Sequence, residues 1–133
     1  MSESDVKTSI LVVDDNANVT KALAALIRDA GYEPVPCFNA ADALAWAASN
    51  PVAAAVVDIH LPDMSGLILA QKLRERFGAT TPIIVVSGDT SMETLNSLPH
   101  VGATYFFSKP ISAAKLLEKL KTLLAEPGIR EAG

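Results

Sequence analysis

Apolar segments recur along the chain at short intervals, and the residues between them follow helical spacing. Ser9-Ile10-Leu11-Val12-Val13, Ala53 to Val57 and Pro82 to Val86 are almost unbroken apolar runs. Such runs suit strands buried on both faces, as in a parallel sheet. Tyr32 to Phe38 and Thr104 to Phe107 read as two further strands. The first of these carries Pro34 and Pro36, and proline cannot donate to a ladder, so that strand is predicted at a sheet edge.

Val19, Leu23, Leu26, Ile27 and Ala30 fall at helical spacing, predicting a helix capped by Asn18 and stopped by Gly31. Asn39 caps an alanine-rich helix over 40–48, whose large apolar residues are Leu44 and Trp46, and Asn50-Pro51 closes it. Leu69, Leu73 and Phe77 predict a helix opened by Gly66, with Ile68 off the stripe and exposed. Thr90 to Leu98 reads as a short helix, weakened by its Thr, Ser and Asn content and ended by Pro99. Ser112 caps a last helix to about Ala125, with Leu116, Leu117, Leu120 and Leu124 as its apolar set.

Strand and helix alternate five times. Parallel neighbours need helix-sized, right-handed crossovers, so the alternation predicts an α/β fold with helices on both faces. With the proline strand at an edge, the expected architecture is a doubly wound (βα)5, flavodoxin-like three-layer sandwich, strand order 2-1-3-4-5. Residues 1–8 read as a lead-in, 9–125 as the domain, and 126–133, with Pro127 and two glycines, as a flexible tail.

Composition narrows the class. Of 133 residues, 50% are hydrophobic and 20% charged, which fits one globular domain rather than disorder. Cys37 is the single cysteine, which rules out an intrachain disulfide and fits an intracellular setting. A net charge of -4 argues against a nucleic-acid or anionic-membrane surface. The acidic start Met1-Ser2-Glu3-Ser4-Asp5 is no signal peptide, and no apolar run reaches the roughly 18 residues a membrane helix needs. A soluble cytoplasmic protein is expected.

Asp58 ends the run at Val57 and is followed by turn chemistry, Pro62-Asp63-Met64-Ser65-Gly66. Alone, Asp58 reads equally well as the start of a turn. Four strands, however, end in chemically loaded groups: Asp14-Asp15, Asp58, Ser87 and Lys109. A parallel sheet brings all C-terminal strand ends to one edge, where open α/β sheets place ligands. Three carboxylates gathered there repel one another, and a divalent cation with hard oxygen ligands, Mg²⁺, is the natural compensation. Asp58 could then act as a carboxylate nucleophile toward phosphorus, Lys109 as a point charge on phosphoryl oxygens and Ser87 as a hydrogen-bond donor to them.

Asp14-Asp15, the segment Asp58-Ile59-His60-Leu61-Pro62-Asp63-Met64-Ser65-Gly66, Ser87-Gly88 and Lys109-Pro110 stand in the order of a known family. Over about residues 8–125 the chain resembles a response-regulator receiver domain of two-component signalling. The resemblance implies that Asp58 accepts a phosphoryl group from a histidine kinase or a histidine phosphotransfer protein. It implies Mg²⁺ held by Asp15, Asp58 and the backbone carbonyl of His60, with Asp14 acting through water, and Ser87 and Lys109 contacting the phosphoryl group. It implies a rotamer switch at Phe106, coupled to Ser87, that changes the surface of the fourth helix, fifth strand and fifth helix. Phe106 lacks a hydroxyl, so the switch must work by packing, and alternation sends Tyr105 to the other face. His60 and Asp89 flank the path of water to the phosphoryl group in this family, and a His60–Asp89 pair is expected to tune the acyl-phosphate lifetime.

The resulting expectation is a phosphorylation-controlled switch in a phosphorelay, catalysing only its own phosphorylation and dephosphorylation. No attached output domain is expected past the last helix. Output would pass through a downstream protein partner, from a monomer or a phosphorylation-dependent dimer. Two rivals stay open: a phosphorylation-independent protein-binding module, and an aspartate-nucleophile phosphohydrolase. The second is disfavoured because His60 stands where such enzymes carry an Asp. A flavin site is disfavoured because the first loop is acidic where a phosphate wants donors. His60 and His100 lack metal-ligand spacing. Cys37 reads as a buried small hydrophobe, Trp46 as packing, and Lys115, Lys119 and Lys121 as a solvated helix face.

Overall fold

A computed structural model describes residues 8–125. Within them strands and helices alternate: β1 (Ser9–Val13), α1 (Ala17–Asp29), β2 (Glu33–Cys37), α2 (Ala40–Ser49), β3 (Ala54–Asp58), α3 (Gly66–Phe77), β4 (Ile83–Ser87), α4 (Met92–Ser97), β5 (Tyr105–Ser108) and α5 (Ala113–Ala125). The five strands form one parallel sheet in the order β2-β1-β3-β4-β5, the doubly wound arrangement expected. The predicted tail, 126–133, and the predicted lead-in up to residue 7 lie outside the described residues.

Strand alternation divides the core in two. Leu11, Val13, Ala55, Val57, Ile83 and Val85 face α2 and α3, meeting Ala43, Ala47, Leu69 and Leu73. Ile10, Val12, Ala54, Val56, Ile84 and Val86 face α1 and α5, meeting Leu23, Ile27, Leu116 and Leu120. Both faces of β1, β3 and β4 are therefore covered, which is why their sequences run apolar without alternation. The alanines of α2 let that helix lie close against the sheet. Trp46 packs at the margin of the same layer, and Cys37 is buried, its thiol pushed up chiefly by that burial.

β2 takes its edge position with a specific geometry. Glu33 N–H donates to Thr8 and Cys37 C=O accepts from Asp14, so the odd-numbered residues of β2 bond to β1. Pro34 and Pro36 then turn their missing donors outward, and no ladder bond is lost.

Two element ends depart from expectation. Asn16, not Asn18, caps α1: its side chain accepts from the N–H groups of Asn18 and Val19. Both are asparagines before an apolar stripe, but only Asn16 has the extended backbone a cap requires. α4 is shorter than predicted, starting after the Ser91 cap and ending at Ser97. Pro99 does not simply terminate it; it opens a 3₁₀ turn, Pro99–Val101, that leads into Gly102 at φ 79°. Ile68 is exposed, as its place off the α3 stripe predicts.

Candidate functional site

The residues after β1 are held from several sides. The Asp14 N–H still donates to Cys37 C=O at 3.1 Å, one step past the strand. Its carbonyl accepts from the buried Thr20 hydroxyl at 3.1 Å, and its Oδ1 accepts from Asn16 N–H at 2.9 Å. Asp14 is buried by this packing, while Asp15 next to it is exposed. The acidic turn is thus bolted to the first turn of α1 by Asn16 and Thr20, two residues not singled out from sequence for this role.

Asp58 is the last residue of β3 and is 4% exposed. Lys109 follows β5, and its backbone N–H donates to Ser87 C=O at 2.9 Å, which extends the β4–β5 pairing to the edge. Lys109 Nζ lies 3.3 Å from Asp58 Oδ2 and 3.5 Å from Asp14 Oδ2. The three side chains continue one alternation: Asp14 follows Ile10 and Val12, Asp58 follows Ala54 and Val56, and Lys109 follows Phe107. Carboxylate oxygens of Asp14, Asp15 and Asp58 all fall within 4.8 Å of one another. The five residues Asp14, Asp15, Asp58, Ser87 and Lys109 are therefore gathered along one sheet edge.

One ammonium cannot balance three carboxylates. Burial and then Asp14 push the Asp58 carboxyl above its ordinary range, against the opposing pull of Lys109. For Lys109, burial works to lower the value, but Asp58 and Asp14 outweigh it and hold the ammonium above its usual range. Burial and the neighbouring carboxylate drive the first shift, and two anions around one cation drive the second. Asp58 Oδ1 is moreover buried without a hydrogen-bond partner, an arrangement that calls for an external partner. A hard divalent cation fits this set: the donors are oxygens, the charge is in excess, and one buried oxygen is unsatisfied.

Ser87 closes β4 and is fully buried. Its Oγ accepts from Asp89 N–H at 2.9 Å, and no acceptor for its own proton is found among the described residues. Ser87 continues the alternation of Ile83 and Val85 on the α2/α3 face, where Phe106, half-buried, packs as well. Tyr105 and Phe107 lie on the opposite face with ring centroids 5.0 Å apart, as alternation predicted. Lys119 is not merely a solvated charge: its Nζ sits 4.2 Å from the Tyr105 ring centroid.

The loop after β3 is mounted at its neck and at its tip. Gly66 N–H donates to Ile59 C=O at 2.6 Å, and His60 bridges Ser65. A side chain at Gly66 would collide with the Asp58 carbonyl and with Ile59 Cα, so only glycine closes this neck. At the tip, Asp63 accepts from Ala40 N–H at 2.9 Å and Ala41 N–H at 2.8 Å, tying the loop to the start of α2. An Asp in a turn-rich segment was visible in sequence, but its long-range partner was not. His60 and Asp89 form no ion pair; Asp89 instead accepts from Ser91 N–H and the Thr94 hydroxyl, and His60 only adds a weak favourable field. Beside Lys109, an open cleft of about 620 Å³ runs between α1 and the start of α5, lined by Val19, Leu23, Pro110, Ile111 and Leu116.

Comparison with known proteins agrees with this architecture. Residues 10–121 match the family model described as response regulator receiver domain. The chain is 36% identical over 118 residues to the sensory/regulatory protein RpfC of Xanthomonas campestris, an alignment covering 86% of this chain and 16% of that protein. It is 32% identical over 114 residues to an NtrX-like response regulator of Rickettsia bellii, covering 84% of this chain and 24% of that one. The chain thus spans a quarter or less of the length of these relatives. A CheY-like receiver domain from Methanospirillum hungatei superposes with a TM-score of 0.85 at 30% identity, covering 91% of this chain and 96% of the other. Among the described residues no helix is long and apolar enough to cross a membrane. With the sheet order, the acidic edge and the family model in agreement over nearly the same residues, the chain belongs to the response regulator receiver domain family, the modules of phosphorylation-type signalling.

Proposed function

We propose that residues 9–125 form a phosphorylation-controlled switch in which Asp58 accepts a phosphoryl group from a histidine kinase or a histidine phosphotransfer protein. The observation that carries this reading is the buried, unpartnered Oδ1 of Asp58 beside Lys109, Asp14 and Asp15. A carboxylate oxygen of Asp58 attacks phosphorus, the bond from phosphorus to the donor's imidazole nitrogen breaks, and the imidazole leaves. An acyl phosphate remains on Asp58. Asp15, Asp58 and the His60 carbonyl would hold Mg²⁺, with Asp14 acting through water. When bound, the ion would offset the carboxylate charge and stabilise charge on the transferring group.

Lys109, already within 3.5 Å of two carboxylates, turns its charge to the phosphoryl oxygens. Ser87 has its proton free to donate to one of them, since its Oγ serves as acceptor for Asp89. Movement of Ser87 repacks Phe106 on their shared face and alters the α4–β5–α5 surface, through which a downstream protein partner reads the state. The apolar cleft beside Lys109 offers a resting place for the donor protein. The chain would act once per phosphoryl group, catalysing its own modification and its hydrolysis rather than turning over a metabolite.

Intact mass after incubation with Mg²⁺ and acetyl phosphate tests this directly, with Asp58→Asn beside it. One added phosphoryl group, not formed when EDTA is present from the start and absent in Asp58→Asn, is the expected result. No gain from acetyl phosphate or from a phosphorylated histidine donor would leave a phosphorylation-independent binding module as the better reading.

A further inference from the structure

A chain of hydrogen bonds leads from Ser87 into α4. Asp89 N–H donates to Ser87 Oγ at 2.9 Å. The Asp89 carboxylate accepts from Ser91 N–H at 2.9 Å through Oδ1 and from the Thr94 hydroxyl at 2.8 Å through Oδ2. Thr94 is buried, 8% exposed, and its own N–H donates to Ser91 Oγ at 3.2 Å. Asp89 therefore has its amide on the site hydroxyl and its carboxylate on the first turn of α4.

We propose that Thr94 is a positioning residue that acts through Asp89 on the Ser87 hydroxyl, and so couples the start of α4 to the acceptor site. The inference rests on the reading of Asp58 given above and extends it to a route that does not pass through Phe106. With Oδ1 and Oδ2 both fixed by α4, the Asp89 amide is held where it uses one lone pair of Ser87 Oγ. The hydroxyl proton is left to point elsewhere. When Ser87 Oγ moves toward a phosphoryl oxygen on Asp58, the Asp89 amide must follow it or lose its acceptor. Following pulls on Ser91 and Thr94. α4 has six residues, rich in Thr, Ser and Asn, and has little stability of its own to resist. The coupling is reciprocal, so a partner that grips α4 acts back on the site. The plainer reading makes Asp89, Ser91 and Thr94 a local cap with no link to Ser87; the two differ in what a change at Thr94 does to the Asp89 amide, to which Thr94 is not bonded.

Amide hydrogen exchange measured by NMR on wild type, Thr94→Val and Thr94→Ser separates them. Thr94→Val keeps the shape and loses the donor; Thr94→Ser keeps the donor. In Thr94→Val the Asp89 amide is expected to exchange about five-fold faster, the factor of one net hydrogen bond, with Thr94→Ser close to wild type. The wild type gives a second reading that needs no variant: on phosphorylation the Asp89 and Thr94 amides both exchange faster. Equal Asp89 exchange in all three proteins, or α4 exchange unchanged in phosphorylated wild type, overturns the proposal. If the Thr94→Val effect is present but the wild type takes no phosphoryl group, the relay stands and the reading of Asp58 fails.

Discussion

Lys109 Nζ lies 3.3 Å from Asp58 Oδ2, yet that contact does not offset the burial of Asp58, and the same ammonium also serves Asp14 at 3.5 Å. Asp58 remains above its ordinary range through burial and then Asp14. An acid whose folded value is raised favours the folded state below its unfolded value, near 3.8, and loses that contribution as pH rises through the folded value. In metal-free buffer at neutral pH, Asp58→Asn should therefore melt higher than wild type, with the gain shrinking as pH falls toward 3.8. Differential scanning calorimetry across pH checks the sign. Lys109→Met should push the Asp58 carboxyl higher still, read by carbon-detected NMR titration.

Asp63 works in the opposite sense. The amides of Ala40 and then Ala41 hold it below its ordinary range, so its contribution is present above 3.8 and is lost as pH falls through the lower folded value. Asp63→Asn keeps at most one of the two acceptors. The drop in melting temperature between mildly acidic and strongly acidic buffer should be shallower in this variant than in wild type.

Gly66→Ala should be severe. The new Cβ would meet the Asp58 backbone, with Asp58 C and Ile59 Cα each 2.7 Å away, and backbone cannot yield as a flexible side chain can. Urea denaturation should register a loss of about 3 kcal/mol, the top of the ordinary overpacking range. Phosphoryl gain should fall as well, since the collision displaces Asp58 itself.

Arg74 offers a contrast in which stability falls and chemistry does not. Its guanidinium donates to Gly102 C=O at 2.6 and 3.1 Å, to Gly78 C=O at 2.6 Å and to Thr81 C=O at 2.7 Å. It ties α3 to the chain leading into β5, far along the strands from Asp58. Arg74→Ala should cost about 2 kcal/mol by denaturant melt while leaving the mass gain of Mg²⁺-dependent phosphorylation unchanged.

The fold was legible because its signals are periodic. Unbroken runs such as Ile10–Val13 and Ile83–Val86 announce strands covered on both faces, and Pro34 and Pro36 assign one strand to an edge. The gathering of Asp14, Asp58 and Lys109 followed from strand polarity alone. What sequence left open depends on short-range competition for donors. Asn16 and Asn18 are chemically the same cap, and backbone angles decide between them. Asp89 could be read from sequence as a partner for His60, but the backbone amide of Ser91 and the hydroxyl of Thr94, both within five residues, take its carboxylate. The ties from Asp63 to Ala40 and from Arg74 to Gly102 join residues more than 20 positions apart with no pattern to reveal them.

The outward-facing prolines of β2 have a consequence for association. A strand edge recruits another strand by offering alternating donors and acceptors, and Pro34 and Pro36 leave the β2 edge with carbonyls but two missing donors. Continuous sheet growth from that side is blocked. The opposite edge, Tyr105–Ser108, carries no proline. Strand addition, whether by another copy of the chain or in an aggregating assembly, is therefore polarised: the β2 rim of the sheet is closed to it and the β5 rim is the one left open.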